Sequence, residues 1–526
     1  MKTNDQKISK LHRFTSVLMI LFLLIASLSP PLYAQSQVDP TGAHTGTIKN
    51  IPAKNPGNPT LTEIGNAVGH NSVAINLVWT LLAGFLVMFM QAGFAMVEAG
   101  FTRAKHVAHT MSMNFFIYVL GILGFWICGF AIMFGGVGSI GALGGTPGLT
   151  HEITMHLFGK SFGLFGAKGF FLNNSVYDVG IFALFLFQMV FMDTTATIPT
   201  GAMAERWKFS AFAVYGLFIS MIVYPIYGNW VWGGGWLSQL GSLFGLGHGV
   251  VDFAGSSVVH MVGGVAALAG AMVIGPRIGK YNKDGSANAI PGHNLPMAII
   301  GTFILAFGWF GFNPGSTLAG TDLRIAIVAT NTMLASASGA LFATLYMWLK
   351  FKKPDPSMMA NGMLAGLVAI TAPCAFVNAE TAVLIGAIAG VLVVVAVFFI
   401  DQKLKIDDPV GAIAVHGVNG FWGILALGLF ADGSYGNGWN GVAGPVTGLF
   451  YGNPGQFFAE LIGGIVCFAF VFAFMYGFFK VCDKVIGIRV SEEAELEGLD
   501  IPEMGVKGYD EPIAIPEELL PSPEVA

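Results

Sequence analysis

The feature that most constrains this chain is a series of almost uncharged apolar stretches, each close to the ~20 residues that span a bilayer core as a helix. Eleven lie after residue 70, at approximately 73–99, 107–135, 177–203, 209–229, 253–275, 294–313, 323–349, 358–375, 380–400, 411–430 and 457–480. Lipid supplies no hydrogen bonds, so each stretch must satisfy its own backbone by becoming a helix. Only 10% of the residues are charged, against roughly a quarter in soluble domains. The chain therefore reads as an all-α polytopic membrane protein of eleven transmembrane helices, with the lipid bilayer as its surroundings. The 71 glycines suit close helix approach. No basic patch has the footprint of nucleic-acid binding. Cys128, Cys374, Cys467 and Cys482 are scattered without metal-ligand spacing and read as packing residues.

Residues 1–34 read as a signal peptide: the basic "KISKLHRF", the apolar "TSVLMILFLLIASL" and a cleavage site after "LYA". An uncleaved first helix is the alternative. Cleavage would leave residues 35–72 as an external extension with little structure of its own, ahead of a transmembrane domain at 73–482. The basic residues test the resulting orientation, because cytoplasmic loops hold the excess of lysine and arginine. With the N-terminus outside, the inward loops carry Arg103, Lys105, Arg206, Lys208, Arg277, Lys280, Lys283, Lys350, Lys352, Lys353, Lys403 and Lys405. The outward loops between helices carry only Lys160, Lys168 and Arg324. The tail at 483–526 is acidic and proline-bearing, and reads as a solvated, flexible cytoplasmic segment. The glycine-rich loop at 136–176 has no functional reading.

Eleven helices suggest two halves of five plus one extra helix, the halves inverted with respect to each other. Two stretches support this: "DFAGSSVVHMVGG" at 252–264 and "DDPVGAIAVHGVNG" at 407–420. In each, a histidine follows an aspartate by eight residues: Asp252 and His260, Asp408 and His416. At 1.5 Å per residue each histidine lies about 12 Å below its aspartate, near the middle of a ~30 Å core from either side. The two rings should meet at the centre of the protein. Such a pair admits three readings: haem ligands, metal ligands, or the lining of a conduit that exchanges protons. Haem or metal needs further ligands and their supports, and Asp193 alone was found at comparable depth. Intramembrane ionisable groups usually line a pathway, so the conduit is favoured, with no cofactor and no resident metal.

The stretch "DFAGSSVVHMVGGVAALAGAMVIGPR" at 252–277 resembles the signature of the ammonium transporters, the Amt branch of the Amt/Rh superfamily, of bacterial type. Further motifs extend the resemblance over residues 73–500: "FQMVF" at 187–191, "GAMAERWKF" at 201–209, "VWGGGW" at 231–236 and "GWFGFNPGS" at 308–316. It implies an inner-membrane homotrimer with one pore per subunit, conducting ammonia from ammonium. It also implies roles. Trp232 and Ser316 resemble the outer ammonium-recruiting site, Phe191 the gate completing it, and Phe312 a second gating phenyl. His260 and His416 resemble the twin pore histidines. Asp252 resembles the aspartate supporting the outer site from beneath, which also serves as the N-cap of the fifth helix, and Asp408 is its inverted counterpart. Trp232 favours the Amt branch over the Rh proteins. The tail "RVSEEAELEGLDIPEMG" resembles one that docks trimeric PII-class nitrogen regulators. Asp193 departs from the pattern: ionised near the pore it would alter cation affinity, and otherwise it is protonated or tied to Thr194, Thr195 or Thr197. The alternative function is an ammonium sensor signalling through the tail. An enzyme is disfavoured, because no nucleophile–base pair or cofactor motif is present.

Overall fold

The computed structural model describes residues 47–145, 148–436 and 438–509. The stretch at 1–34, read above as a signal peptide, and residues 510–526 lie outside them. Among the described residues ten helices are long and apolar enough to cross a membrane, and a shorter apolar one lies between the seventh and eighth of them. They are α1 (Leu61–Phe101), α2 (Ala104–Phe134), α3 (Val179–Ala202), α4 (Phe209–Val231), α5 (Ser256–Ile274), α6 (Leu295–Thr317) and α7 (Ile325–Phe351). After them come α8 (Pro356–Ile370), α9 (Ala379–Gln402), α10 (Ile413–Phe430) and α11 (Pro454–Ile486). The chain divides into two units at Asn71. In the first, Glu63 accepts hydrogen bonds from the Thr60 and Lys54 amides at 2.7 and 2.9 Å, so α1 starts at Leu61 rather than near residue 73. The extension is thus partly helical. Its acid satisfies amides that precede the first turn and would otherwise be orphaned.

Helices α1–α5 and α6–α10 are the two halves and α11 is the extra helix. The fifth and tenth open alike. Gly255 and Gly411, each three residues after its aspartate, take left-handed φ values of 115° and 81°. Both then enter a wide π-helical turn, Ser256–Met261 and Ile413–Val418, that contains the histidine. The two helices cross where neither has a side chain. A Cβ on Gly264 would stand 2.1 Å from the Gly417 amide nitrogen.

The basic loops converge on one face. Arg277 grips Asp407 with Nε and Nη2 at 2.8 and 3.0 Å and approaches Glu205 at 3.3 Å. Arg103 reaches Glu205 Oε2 through Nε at 2.7 Å, and Arg206 donates to the Asp407 carbonyl at 2.8 Å. These groups come from the α1–α2, α3–α4, α5–α6 and α9–α10 loops, so those connections share a side, as alternating helices require. Burial alone would push the Asp407 carboxyl up, but Arg206 and Arg277 outweigh it and hold it well below the usual carboxylate range. The same contest, won by Arg277, His106 and Arg103, lowers Glu205.

One loop of the helical fold carries added structure, and one expectation is corrected. The α2–α3 loop contains an antiparallel hairpin, β1 (Glu152–Leu157) and β2 (Lys160–Gly166), so the protein is helical with one small sheet. The hairpin braces the end of α4: the Gly163 and Leu164 carbonyls accept from Trp236 N and Trp230 Nε1 at 3.0 and 2.9 Å. The tail is also folded onto the basic face as far as Tyr509, through α12 (Glu492–Glu497) and α13 (Asp500–Met504). Its acids meet helix starts and cations. Asp500 accepts from His109 N at 3.0 Å near the start of α2, and Glu503 from Phe209 N at 2.8 Å at the start of α4. Glu495 pairs with Arg489 at 2.8 Å. Negative charge at a helix N-terminus is favourable, which is why an acidic segment packs here instead of solvating.

Replacing Arg277 with Met strands the buried Asp407 carboxylate and leaves Glu205 with Arg103, and is expected to cost about 3–5 kcal/mol, read as a lower melting temperature in detergent. Depressed carboxylates stabilise the fold above their unfolded pKa of about 4, and that contribution is lost as pH falls through the folded values. The wild type should therefore lose stability in acid more steeply than Arg277→Met. Gly264→Val is expected to cost at least about 1–3 kcal/mol by overpacking. A melt indistinguishable from wild type would mean the α5–α10 crossing is looser than described.

Candidate functional site

Each histidine is delivered by the turn beneath an aspartate, Asp252 fully buried and Asp408 half-buried. The Asp252 carboxylate accepts from the amides of Gly255, Ser256, Ser257 and Val258 and from the Ser257 hydroxyl, at 2.7 to 3.0 Å. Asp408 accepts from Gly411 and Ile413 amides at 2.9 and 2.7 Å. The orphan donors of a helix start are thereby satisfied inside the membrane. In α5 the π turn closes with His260 N donating to the Gly255 carbonyl at 3.1 Å. Wide turns of this kind recur at functional sites because they re-aim side chains.

The rings meet. His260 Nδ1 and His416 Nδ1 are 3.2 Å apart, with ring planes 24° from parallel. One nitrogen must donate and the other accept, so a single proton occupies that contact. Among the described residues His260 Nε2 has no hydrogen-bond partner and remains available.

Above His260 the aromatic side chains form a column. Phe312 stacks on His260 at 5.4 Å between centroids, Phe191 on Phe312 at 4.1 Å, and Trp232 meets Phe191 edge-on at 6.1 Å. Both phenyls are fully buried, so the column is closed there. The Trp232 indole N–H donates to the Asp252 carbonyl at 2.6 Å. Asp252 thus caps α5 with its carboxylate and orients Trp232 with its backbone. Ser316 lies one turn beyond Phe312, its hydroxyl donating to the Phe312 carbonyl at 2.8 Å, which leaves its oxygen free to accept from a guest.

Below the histidines a cavity of about 20 Å³ is lined by Phe94, Glu98, Asn361, Val410 and His416 among others. It has room for about one water-sized molecule. Asn361 and Val410 also line a cleft of about 380 Å³ on the basic face, together with Asp408 and Gly411.

The structure therefore brings Trp232, Phe191, Phe312, His260 and His416 into one line, with Ser316 beside it and Asp252 beneath its upper end. Asp193 is not in that line. Two residues past Phe191 the helix has turned about 200°, and the Asp193 carboxyl faces Gly121 of α2. The three threonines do not tie it: the Thr194, Thr195 and Thr197 hydroxyls reach the carbonyls of Val190, Phe191 and Asp193.

Several residues of the site escaped sequence reasoning. Trp309 stacks on His260 at 5.2 Å and donates to Thr371 Oγ1 at 3.0 Å. It stands three residues before Phe312, the spacing of one helix face, which was the available signal. Glu98 and Glu460 are buried intramembrane carboxyls that interrupt apolar runs and were equally visible. Glu460 accepts from Val251 N at 2.9 Å and so anchors the segment leading into Asp252. Among the described residues, no group of three or more His, Cys, Asp or Glu is placed to hold a metal ion.

Comparisons with known proteins agree with this architecture. A sequence model of the Ammonium Transporter Family matches residues 78–509. The ammonium transporter Amt2 of Archaeoglobus fulgidus is 47% identical over 481 residues, covering 91% of this chain and 93% of its own. The ammonium transporter Amt1 of Haloferax mediterranei is 39% identical, covering 83% and 80%. Among solved structures, a sensor Amt protein is 38% identical with a TM-score of 0.71 over 82% of this chain and 99% of its own. Candida albicans Mep2 is 26% identical with a TM-score of 0.67 over 80% and 87%. With a match running from within the first membrane helix to the end of the folded tail, the chain belongs to the ammonium transporter family.

Proposed function

We propose that this protein carries ammonium inward from the Trp232 face to the basic face, which we read as cytoplasmic, and that the ion sheds its proton on the way. The observation that carries the reading is the unbroken line from Trp232 through Phe191 and Phe312 to the paired histidines. Ammonium is recruited by the faces of Trp232 and Phe191, an attraction of a few tenths to ~2 kcal/mol, and by the Ser316 oxygen. Potassium has no N–H to donate to that oxygen. The closed phenyl pair then decides the species that passes. Burying a bare cation costs tens of kcal/mol by Born estimates, whereas neutral ammonia avoids most of that. His260 and His416 conduct ammonia and relay the proton, their shared contact being able to hold only one proton at a time.

In this reading the protein is a homotrimer in the inner membrane with one conduit per subunit. A trimeric PII-class nitrogen regulator binds its basic face, where the folded tail lies. Asp252 supports the outer site and Asp408 its inverted counterpart. The second reading, an ammonium sensor with little flux, is favoured by the likeness to a sensor Amt protein.

Proteoliposomes on a solid-supported membrane separate the two. Ammonium jumps are expected to evoke a saturable current that potassium jumps do not, and Trp232→Leu to weaken its apparent affinity by about 10-fold. Internal alkalinisation without current would indicate a neutral ammonia channel. Binding without either signal would favour the sensor. His260→Asp or His416→Asp places an acceptor-only carboxylate in the line and is expected to admit potassium. Unchanged transport and selectivity in both variants would remove the histidines from the mechanism.

A further inference from the structure

We propose that Glu98 is the proton-exchanging group at the basic-face end of the conduit. It receives the proton that the histidines pass down and returns it to ammonia in the cavity it shares with His416. The proposal rests on the reading that ammonia and a proton cross separately.

Glu98 lies on α1, 2% exposed, and lines the same water-sized cavity as His416 and Asn361. Among the described residues no lysine, arginine or histidine forms an ion pair with it. Its carboxyl is held in place but incompletely solvated. Asn114 Nδ2 donates to Oε2 at 2.6 Å. The single hydroxyl proton of Thr200 is shared between both carboxyl oxygens at 2.8 Å and the Thr197 carbonyl at 2.5 Å. A carboxylate has about four acceptor sites, so Asn114, Thr200 and the Gly201 backbone amide together still leave a lone pair unfilled. A buried charge in this state is costly unless it is neutralised. Two occupants neutralise it: a proton on the carboxyl, or a cation with N–H donors in the adjoining cavity. Reprotonation alternates between them.

The proton balance closes. The proton that ammonium loses is taken up at His260 Nε2, which has no partner among the described residues, and the pair passes one on across the Nδ1–Nδ1 contact to His416. The Glu98 carboxylate accepts it as an O–H bond. That bond breaks as ammonia in the cavity forms its fourth N–H bond, leaving carboxylate and ammonium. Ammonium then leaves through the cleft shared by Asn361 and Val410, whose wall includes Asp408. The other titratable groups facing Glu98 are Asp408 and His416 from the α10 segment and Tyr215 from α4. The first and last lack a path through this cavity: the Asp408 carboxylate is occupied by backbone amides, and the Tyr215 hydroxyl donates to the Ala196 carbonyl at 2.7 Å.

The test compares wild type, Glu98→Gln and Glu98→Asp in proteoliposomes, reading ammonium-evoked current across a pH series and ammonia-driven alkalinisation. Glu98→Gln keeps the shape and one accepting oxygen but cannot ionise. It is expected to lose current by about 100-fold while ammonia-driven alkalinisation, which the wild type does not show, appears. Glu98→Asp should retain current with a shifted pH profile. A Glu98→Gln current and profile equal to wild type would overturn the proposal. So would the absence of both signals in both variants, which is what a purely structural role predicts. If Glu98→Gln does not assemble, an unshifted profile in Glu98→Asp overturns it. A wild type without current removes the reading beneath the proposal, and the proposal with it.

Discussion

One buried carboxylate, that of Asp252, is the interaction on which the site depends. A helix that begins inside a membrane exposes amides to a medium that cannot bond them. Asp252 takes four of those amides and one hydroxyl. This permits α5 to start below the surface with a left-handed Gly255 and a wide turn. The same residue turns its carbonyl to the Trp232 indole. One side chain and its own backbone thus set the depth of His260 and the pose of the outermost aromatic group. Asp408 repeats the arrangement from the other side, and the pairing of the histidines is the product of both.

Around that centre the protein manages charge in two ways. At the basic face, Arg103, Arg206 and Arg277 are matched against Glu205, Asp407 and backbone carbonyls, so buried ions remain ionised and tie four loops together. Along the conduit no such matching exists. The histidines share one contact, Glu98 meets only amide and hydroxyl donors, and the phenyl pair offers no polar atom at all. Full compensation gives rigidity at the rim, and incomplete compensation gives groups that can exchange protons within.

The acidic tail shows how composition can mislead. Its charge and its lack of apolar period pointed to a solvated segment, yet Glu495, Asp500 and Glu503 are drawn onto a basic cation and two helix starts. Arg489 belongs to the tail itself, but the other two partners, the His109 and Phe209 amides, lie in α2 and α4, and no reading confined to the tail shows them. The hairpin of the α2–α3 loop is a similar case: its strands are short and half-exposed, and their purpose lies in what they brace, the Trp230–Trp236 turn.

By itself the sequence determined the number of helices, their alternation and the meeting of His260 and His416. These follow from local quantities: the length of apolar runs, the placement of lysine and arginine, and a rise of 1.5 Å per residue. It also displayed Glu98, Glu460 and Trp309, which a fuller count of charges and helix faces would have singled out. The direction of a side chain around its helix was decided only in the tertiary structure. Asp193 and Phe191 stand two residues apart, yet one faces α2 and the other the conduit. The cavity between Glu98 and His416 likewise joins α1 to α10, far apart in sequence. Such contacts depend on how helices cross, and crossings depend on small residues such as Gly264 and Gly417 allowing backbones within reach.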